Sequence, residues 1–264
     1  MDAHGRRTLA KAGLGAAPPL LLAVLECFHP HPHDLLRMNT DVWLFVHYAQ
    51  IPLFPLAALS VIALLGGRRD ITATVSRVAL FVFAVTFVAF DTAAGAVTGI
   101  LVQAAQASSD PESWRAAIEA VWWHPIIGQM RQNHVPSLAA IGTVALSIGT
   151  MAAALSLHRA GHRTVPLVLL AISGFGLQVF NTHAWPGGPL TFGGIALAVA
   201  WLQWQGARTT VTAMEPPADP LGIMQRRAPV ERRRYWRPAA DEADEGHSLP
   251  DYGSGAPADR VVSK

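Results

Sequence analysis

Six long stretches of this 264-residue chain contain no lysine or arginine, and the basic residues between them are sorted onto alternate connections. When the stretches are threaded back and forth, Arg37, Arg115 and Arg131 fall on one side, and the other seventeen of the twenty basic residues fall on the opposite side. Membrane proteins keep Lys and Arg in their cytoplasmic loops in this way. The pattern predicts an all-α fold: a polytopic membrane bundle of six transmembrane helices in contact with the lipid bilayer, with both termini cytoplasmic. It fixes which segments share a compartment and spells out no chemistry.

The six predicted spans are residues 12–28, 42–65, 78–103, 135–157, 165–180 and 190–204. A helix rising about 1.5 Å per residue crosses a hydrocarbon core of about 30 Å in about 20 residues. Between Asp41 and Arg68 the only acidic or basic side chain is His47, and between Arg77 and Asp110 the only charge is Asp91. No Asp, Glu, Lys or Arg lies between Arg163 and Arg208; Trp185-Pro186-Gly187-Gly188-Pro189 divides this run into two short helices or a re-entrant hairpin, and its length favours two crossings. The first span follows Arg6-Arg7 and Lys11, which read as a loose twin-arginine export signal or as ordinary positive-inside anchoring. No A-x-A-like site follows, which favours an anchor.

With 51% hydrophobic and 14% charged residues and a mean hydropathy of +0.30, composition averages a very apolar region up to residue 205 with a polar one over 206–264. The latter reads as a disordered cytoplasmic tail broken repeatedly by proline. Its basic cluster from Arg226 to Arg237 is either a contact with anionic lipid or a solvated positive tail. Because the basic residues follow topology rather than gather on one face, nucleic acid is not an expected partner. The single cysteine, Cys27, excludes an intramolecular disulfide and a Cys-based zinc site. Eighteen Arg against two Lys, amid heavy Ala and Gly use, resembles proteins of high-GC bacteria, which points to the inner (plasma) membrane.

The outer connections are then residues 29–41, 104–134 and 182–189, with Trp43, Trp114, Trp122, Trp123 and Trp185 near the outer boundary and Trp201 and Trp204 near the inner one. Within the long outer connection, Trp114, Ile118, Val121 and Trp122 recur at helical spacing, which predicts a short interfacial helix ending before Pro125, either an anchor or a lid.

Polar groups inside the bilayer mark where chemistry would reside, since each costs about 2.5 to 3.5 kcal/mol when charged at mid-membrane. Asp91 lies roughly 18 Å below the outer end of its span at about 1.5 Å per residue, with Gly95 and Gly99 following on the same face. It reads as a proton-relay or cation-binding carboxylate, or as an interhelical hydrogen bond. His47 and Gln50 approach the same depth on the second span, ahead of Pro52 and Pro55, and Gln178 and Asn181 follow Gly174 in a polar stripe on the fifth. These predict a polar cavity open to the outer face and built from His47, Gln50, Asp91, Gln178 and Asn181.

Seven of the eleven histidines, His29, His31, His33, His47, His124, His134 and His183, fall in or just inside the outer segments. Neutral imidazole is the commonest transition-metal ligand and also holds haem iron. His29, His31, His33 and His183 are therefore candidate metal ligands, for zinc or copper, against the alternative of a proline-stiffened helix exit with satisfied histidines. A haem would need two of His47, His134 and His183 at equal depth on facing helices. Glu26, about one turn from the outer end of the first span, either snorkels or joins the same cluster.

No phosphate-binding loop, H-E-x-x-H, Cys-pair metal motif or G-x-S-x-G elbow occurs. The segments around His29-Pro30, from His47 to Pro55 and from Phe90 to Gly95 together resemble uncharacterised multi-pass membrane proteins of actinobacterial type over roughly the first four spans. That resemblance implies a bacterial membrane location and supplies no activity. The sequence thus leaves three readings: a small-molecule or metal-binding membrane protein, a metal- or haem-dependent membrane enzyme or electron carrier, and an assembly protein acting through its tail.

Overall fold

The computed structural model describes residues 3–127 and 137–214, and their side chains over 13–127 and 137–205. His134, Arg131 and the cluster from Arg226 to Arg237 lie outside these residues, as does the predicted tail beyond Met214. Every regular element among the described residues is helical. Among the described residues three helices are long and apolar enough to cross a membrane, Thr40–Leu64, Ile71–Ala107 and Leu138–Arg159, and two shorter apolar ones are Gly13–Glu26 and Thr164–Phe180.

Helix α1 is Ala3–Glu26, and a 3-10 turn at Leu35–Arg37 leads into α2, Thr40–Leu64. The latter starts where the Asn39 side chain accepts the Val42 amide and runs unbroken past Pro52 and Pro55. Helix α3, Ile71–Phe90, continues through a π-helical segment at Asp91–Val97 into α4, Thr98–Ala107. After a 3-10 turn at Pro111–Trp114 comes α5, Arg115–Trp122, close to the predicted interfacial helix. Then follow α6 (Leu138–Arg159), α7 (Thr164–Ser173), α8 (Gly176–Phe180) and α9 (Gly187–Met214). The helical part of the last element therefore runs past the boundary at 205 that the sequence suggests.

Six of these helices close a ring, in which α1 packs on α2, α2 on α3, α3 on α6, α6 on α7, α7 on α9 and α9 back on α1. Small residues permit the close approaches that helix association in lipid requires. A Cβ at Gly149 would crowd Leu80 across the α3–α6 contact, and one at Gly174 would overlap the Thr150 hydroxyl across α6–α7. Within the ring the fully buried Phe54, Phe83, Phe87 and Phe192 stack edge to face or tilted, with centroids 5.1 Å apart for Phe54–Phe87 and 4.8 Å for Phe83–Phe87. A second apolar cluster joins Ile118 of α5 to Trp43, Val102 and Leu36, so α5 is seated on the start of α2 and on α4 rather than standing free. The Asp34–Arg115 ion pair, 3.2 Å, ties it to the connection after α1.

At the opposite end, Asp70 caps α3 and gathers several donors. Thr72 Oγ1, the Ala73 amide, Ser156 Oγ and Arg68 all reach its carboxylate. The Thr72 hydroxyl first, then the Ala73 amide, Ser156 and Arg68, hold this carboxyl well below the usual range. A carboxylate with a depressed folded-state pKa stabilises the fold fully above its unfolded value, about 4, and loses that contribution as pH falls through the folded value. Asp70→Asn is therefore expected to lower the thermal midpoint of the detergent-solubilised protein at pH 7, with the gap to wild type narrowing below about pH 4. Unfolding followed by tryptophan fluorescence across that range checks it.

Candidate functional site

The N-terminal half of α2, Phe90 with the π segment that follows it, Trp122 of α5 and the connections after α1 and α8 surround a half-open cavity of about 370 Å³. That is near the lower end for small-ligand pockets, about 300–1,000 Å³. Its wall includes His29, His47, Asp91 and His183, its mouth the exposed His31 and His33. No Lys or Arg lines it among the described residues. The four stacked phenylalanines lie on the side away from the mouth, Phe54 one turn beyond Gln50 on α2 and Phe87 one turn before Asp91 on α3.

Glu26, at the last turn of α1, is fully buried. Its Oε1 accepts a hydrogen bond from Gln50 Nε2 at 2.7 Å, while Oε2 has no hydrogen-bond partner among the described residues. His29 follows in the connection, also buried, with Nδ1 2.9 Å from the Pro30 carbonyl. A neutral ring in that contact carries its proton on Nδ1 and turns a lone pair on Nε2 outward. His29 Nε2 lies 3.1 Å from His183 Nε2, the two rings standing edge to face. Burial, and then the neighbouring His47, push the His29 imidazole down to about 3; burial first, then His29 and His47, push His183 well below its ordinary value. Both rings are neutral near pH 7, the form that ligates metals.

Ligand atoms of Glu26, His29 and His183 all lie within 4.8 Å of one another. Two nitrogens bound to one zinc ion at about 2.0–2.1 Å can be at most about 4 Å apart, so small side-chain movements close the set around an ion. The connection that carries His183 is held by close backbone packing. A Cβ at Gly188 would overlap the His183 carbonyl and crowd the Glu26 side chain, so the start of α9 presses directly on both ligands.

Beside this trio, His47 Nδ1 and Asp91 Oδ1 are 2.6 Å apart and both side chains are buried. Asp91 opens the π segment, a helical irregularity that re-aims side chains and is frequent at functional sites. Within that segment, Gly95 lies against the His47 ring so closely that a Cβ would overlap it, and the Gly95 carbonyl accepts Trp43 Nε1–H at 2.8 Å. Trp43 in turn stacks on His47 at 4.5 Å and on Trp122 at 5.8 Å.

Of the residues the sequence suggests, His29, His47, Asp91 and His183 line one cavity; Gln50 does not line it and donates instead to Glu26. Asn181 stands at the mouth in a left-handed conformation, φ 52°, at the end of α8. Gln178 is exposed on α8 and does not line the cavity, because the chain turns at Gly174 and Phe175 and the expected continuous stripe is broken. His31 and His33 remain exposed at the mouth rather than within the buried trio. The His29 ring lies 4.9 Å from His47 and 4.7 Å from His183, filling the space in which a haem bridging those two would stand. Trp43, Gly95 and Gly188 stand out in the sequence only as a boundary tryptophan, a small residue four after Asp91 and part of a helix break, and none of these signals ties them to the site.

No protein-family model, curated protein or solved structure matches this chain. Its functional reading therefore rests on the site itself.

Proposed function

We propose that this is a multi-pass protein of a bacterial inner membrane, crossing six times with both termini cytoplasmic, and that it binds a divalent transition metal of the zinc class in a buried site reached from the outer face. The single observation that carries the metal reading is the convergence of Glu26, His29 and His183. Two of these three have their other polar atom already engaged, Glu26 by Gln50 and His29 by the Pro30 carbonyl. Hydrogen bonds of this kind, made by the atom turned away from the ion, orient metal ligands.

Charge balance supports the same reading. The site buries Glu26 and Asp91 with no Lys or Arg beside the cavity among the described residues, and buried carboxylates need a compensating charge or a proton. A dication compensates both. Two imidazoles with one carboxylate suit zinc or ferrous iron, whereas calcium and magnesium favour all-oxygen shells. The phenylalanine layer beneath the site favours binding and release through the mouth over passage across the membrane. Six crossings are supported by the sorted basic residues and by the ring in which the two shorter apolar helices and α9 complete the three long ones.

Cobalt(II), whose visible bands report tetrahedral nitrogen and oxygen coordination, tests the site in the full-length protein in detergent. One equivalent is expected to saturate the bands, and Glu26→Gln to weaken binding by at least about 10-fold, the lower range for disturbing even an outer-shell partner. An absence of bands at stoichiometric cobalt, with no competition by zinc, would overturn the proposal.

A further inference from the structure

We infer that His47 is a fourth ligand of that ion, with Asp91 as the residue that positions it, so that the site closes through three imidazoles and one carboxylate. This rests on the metal reading of Glu26, His29 and His183. Its own support is independent of them. His47 Nε2 is buried and has no hydrogen-bond partner among the described residues; Gln50 lies near it on the same helix, yet Gln50 Oε1 is likewise without a partner. A buried imidazole nitrogen left this way costs roughly 1–3 kcal/mol unless something meets it.

The proton of a neutral His47 belongs on Nδ1, where Asp91 Oδ1 receives it at 2.6 Å, and the lone pair is then on Nε2. A carboxylate on one imidazole nitrogen and a metal on the other is the recurrent arrangement in which the carboxylate fixes the tautomer and raises ligand basicity. The His47 ring is adjacent to both ligand rings, 4.9 Å from His29 and 6.3 Å from His183 between centroids. The rest of its surroundings hold it there: Trp43 packs on one side and Gly95 supplies the space that any Cβ would fill.

The consequence concerns what kind of metal protein this is. Three protein ligands leave a position for water or substrate, whereas four close the shell of a tetrahedral ion. A closed site, approached from a histidine-lined mouth and backed by the phenylalanine layer, suits holding and handing over an ion at the outer face rather than activating water on it.

Pulsed electron paramagnetic resonance of the copper(II)-loaded full-length protein counts coordinated imidazoles through their remote nitrogens. The count is made in the His31→Ala/His33→Ala background so that the mouth contributes none. Three imidazoles are expected there, two after adding His47→Gln, and three with about 10- to 100-fold weaker affinity after adding Asp91→Asn. Two imidazoles in the background protein, unchanged by His47→Gln, would overturn the assignment of His47 while leaving the trio intact. Copper bound with no imidazole would overturn the trio as well. The background count decides the matter even if the His47 variant does not fold.

Discussion

Alanine in place of His29 or His183 is expected to weaken zinc or cobalt binding by about 100-fold or more, at or beyond the upper range for disturbing a partner one shell further out. Each removes an imidazole from a trio whose ligand atoms already lie within 4.8 Å of one another, and water cannot replace it easily in so enclosed a place. His124→Ala provides the contrast, since that ring is exposed on the same side of the protein and takes no part in the cluster. Competition against a chelator of known affinity measures all three, and His124→Ala is expected to match wild type. Equal affinities across the set would mean that metal binds elsewhere or only at the surface.

The second large effect is expected from a single methyl group. Gly95→Ala places a Cβ inside the volume of the His47 ring, so either the ring or the π segment must move. Overpacking a filled core costs typically about 1–3 kcal/mol, and here the displaced group is also the proposed ligand. Gly193→Ala is the control: its Cβ would meet Ala23 at 3.8 Å, an ordinary contact, and alanine in a helix gains about 0.5–1 kcal/mol over glycine. Thermal stability should therefore move in opposite directions in the two variants, with Gly95→Ala also losing cobalt affinity and Gly193→Ala keeping it. A Gly95→Ala protein as stable and as tight as wild type would remove the steric account of how His47 is held.

Part of this site was readable from sequence because lipid makes polar groups conspicuous. Asp91 and His47 stand out within long apolar runs, their depths follow from helical rise, and the two are hydrogen-bonded in the structure. Glu26 was ambiguous for the same reason: one turn from a span end, a carboxylate can reach water, and only the packing of α9 against α1 decides that it is enclosed. The Gln178 stripe misled because its spacing presumes one unbroken helix, whereas the chain turns at Gly174 and ends α8 in the left-handed Asn181. The π segment left no trace, since Asp91-Thr92-Ala93-Ala94-Gly95-Ala96-Val97 is ordinary helical composition and the irregularity depends on what packs against it. The mouth histidines were as prominent in sequence as His29, and nothing local distinguishes the buried ring from the exposed ones.

The membrane architecture was legible in kind. Charge sorting marks out the three long apolar helices, Thr40–Leu64, Ile71–Ala107 and Leu138–Arg159, to within a few residues except at the N-terminal end of the second, which extends seven residues further than the flanking arginine suggests. That extension arises because Arg77 turns back to donate to the Arg68 and Gly66 carbonyls, so the helix need not stop at its charge.

A resident ion held by Glu26, His29 and His183 can be counted by elemental analysis. The full-length protein is purified without chelator, reloaded with zinc, freed of excess metal and compared with the Glu26→Gln/His29→Ala/His183→Ala variant treated in the same way. One zinc per chain in the wild type and none in the variant is the expected result. Equal zinc in the two, or none in either, would contradict it.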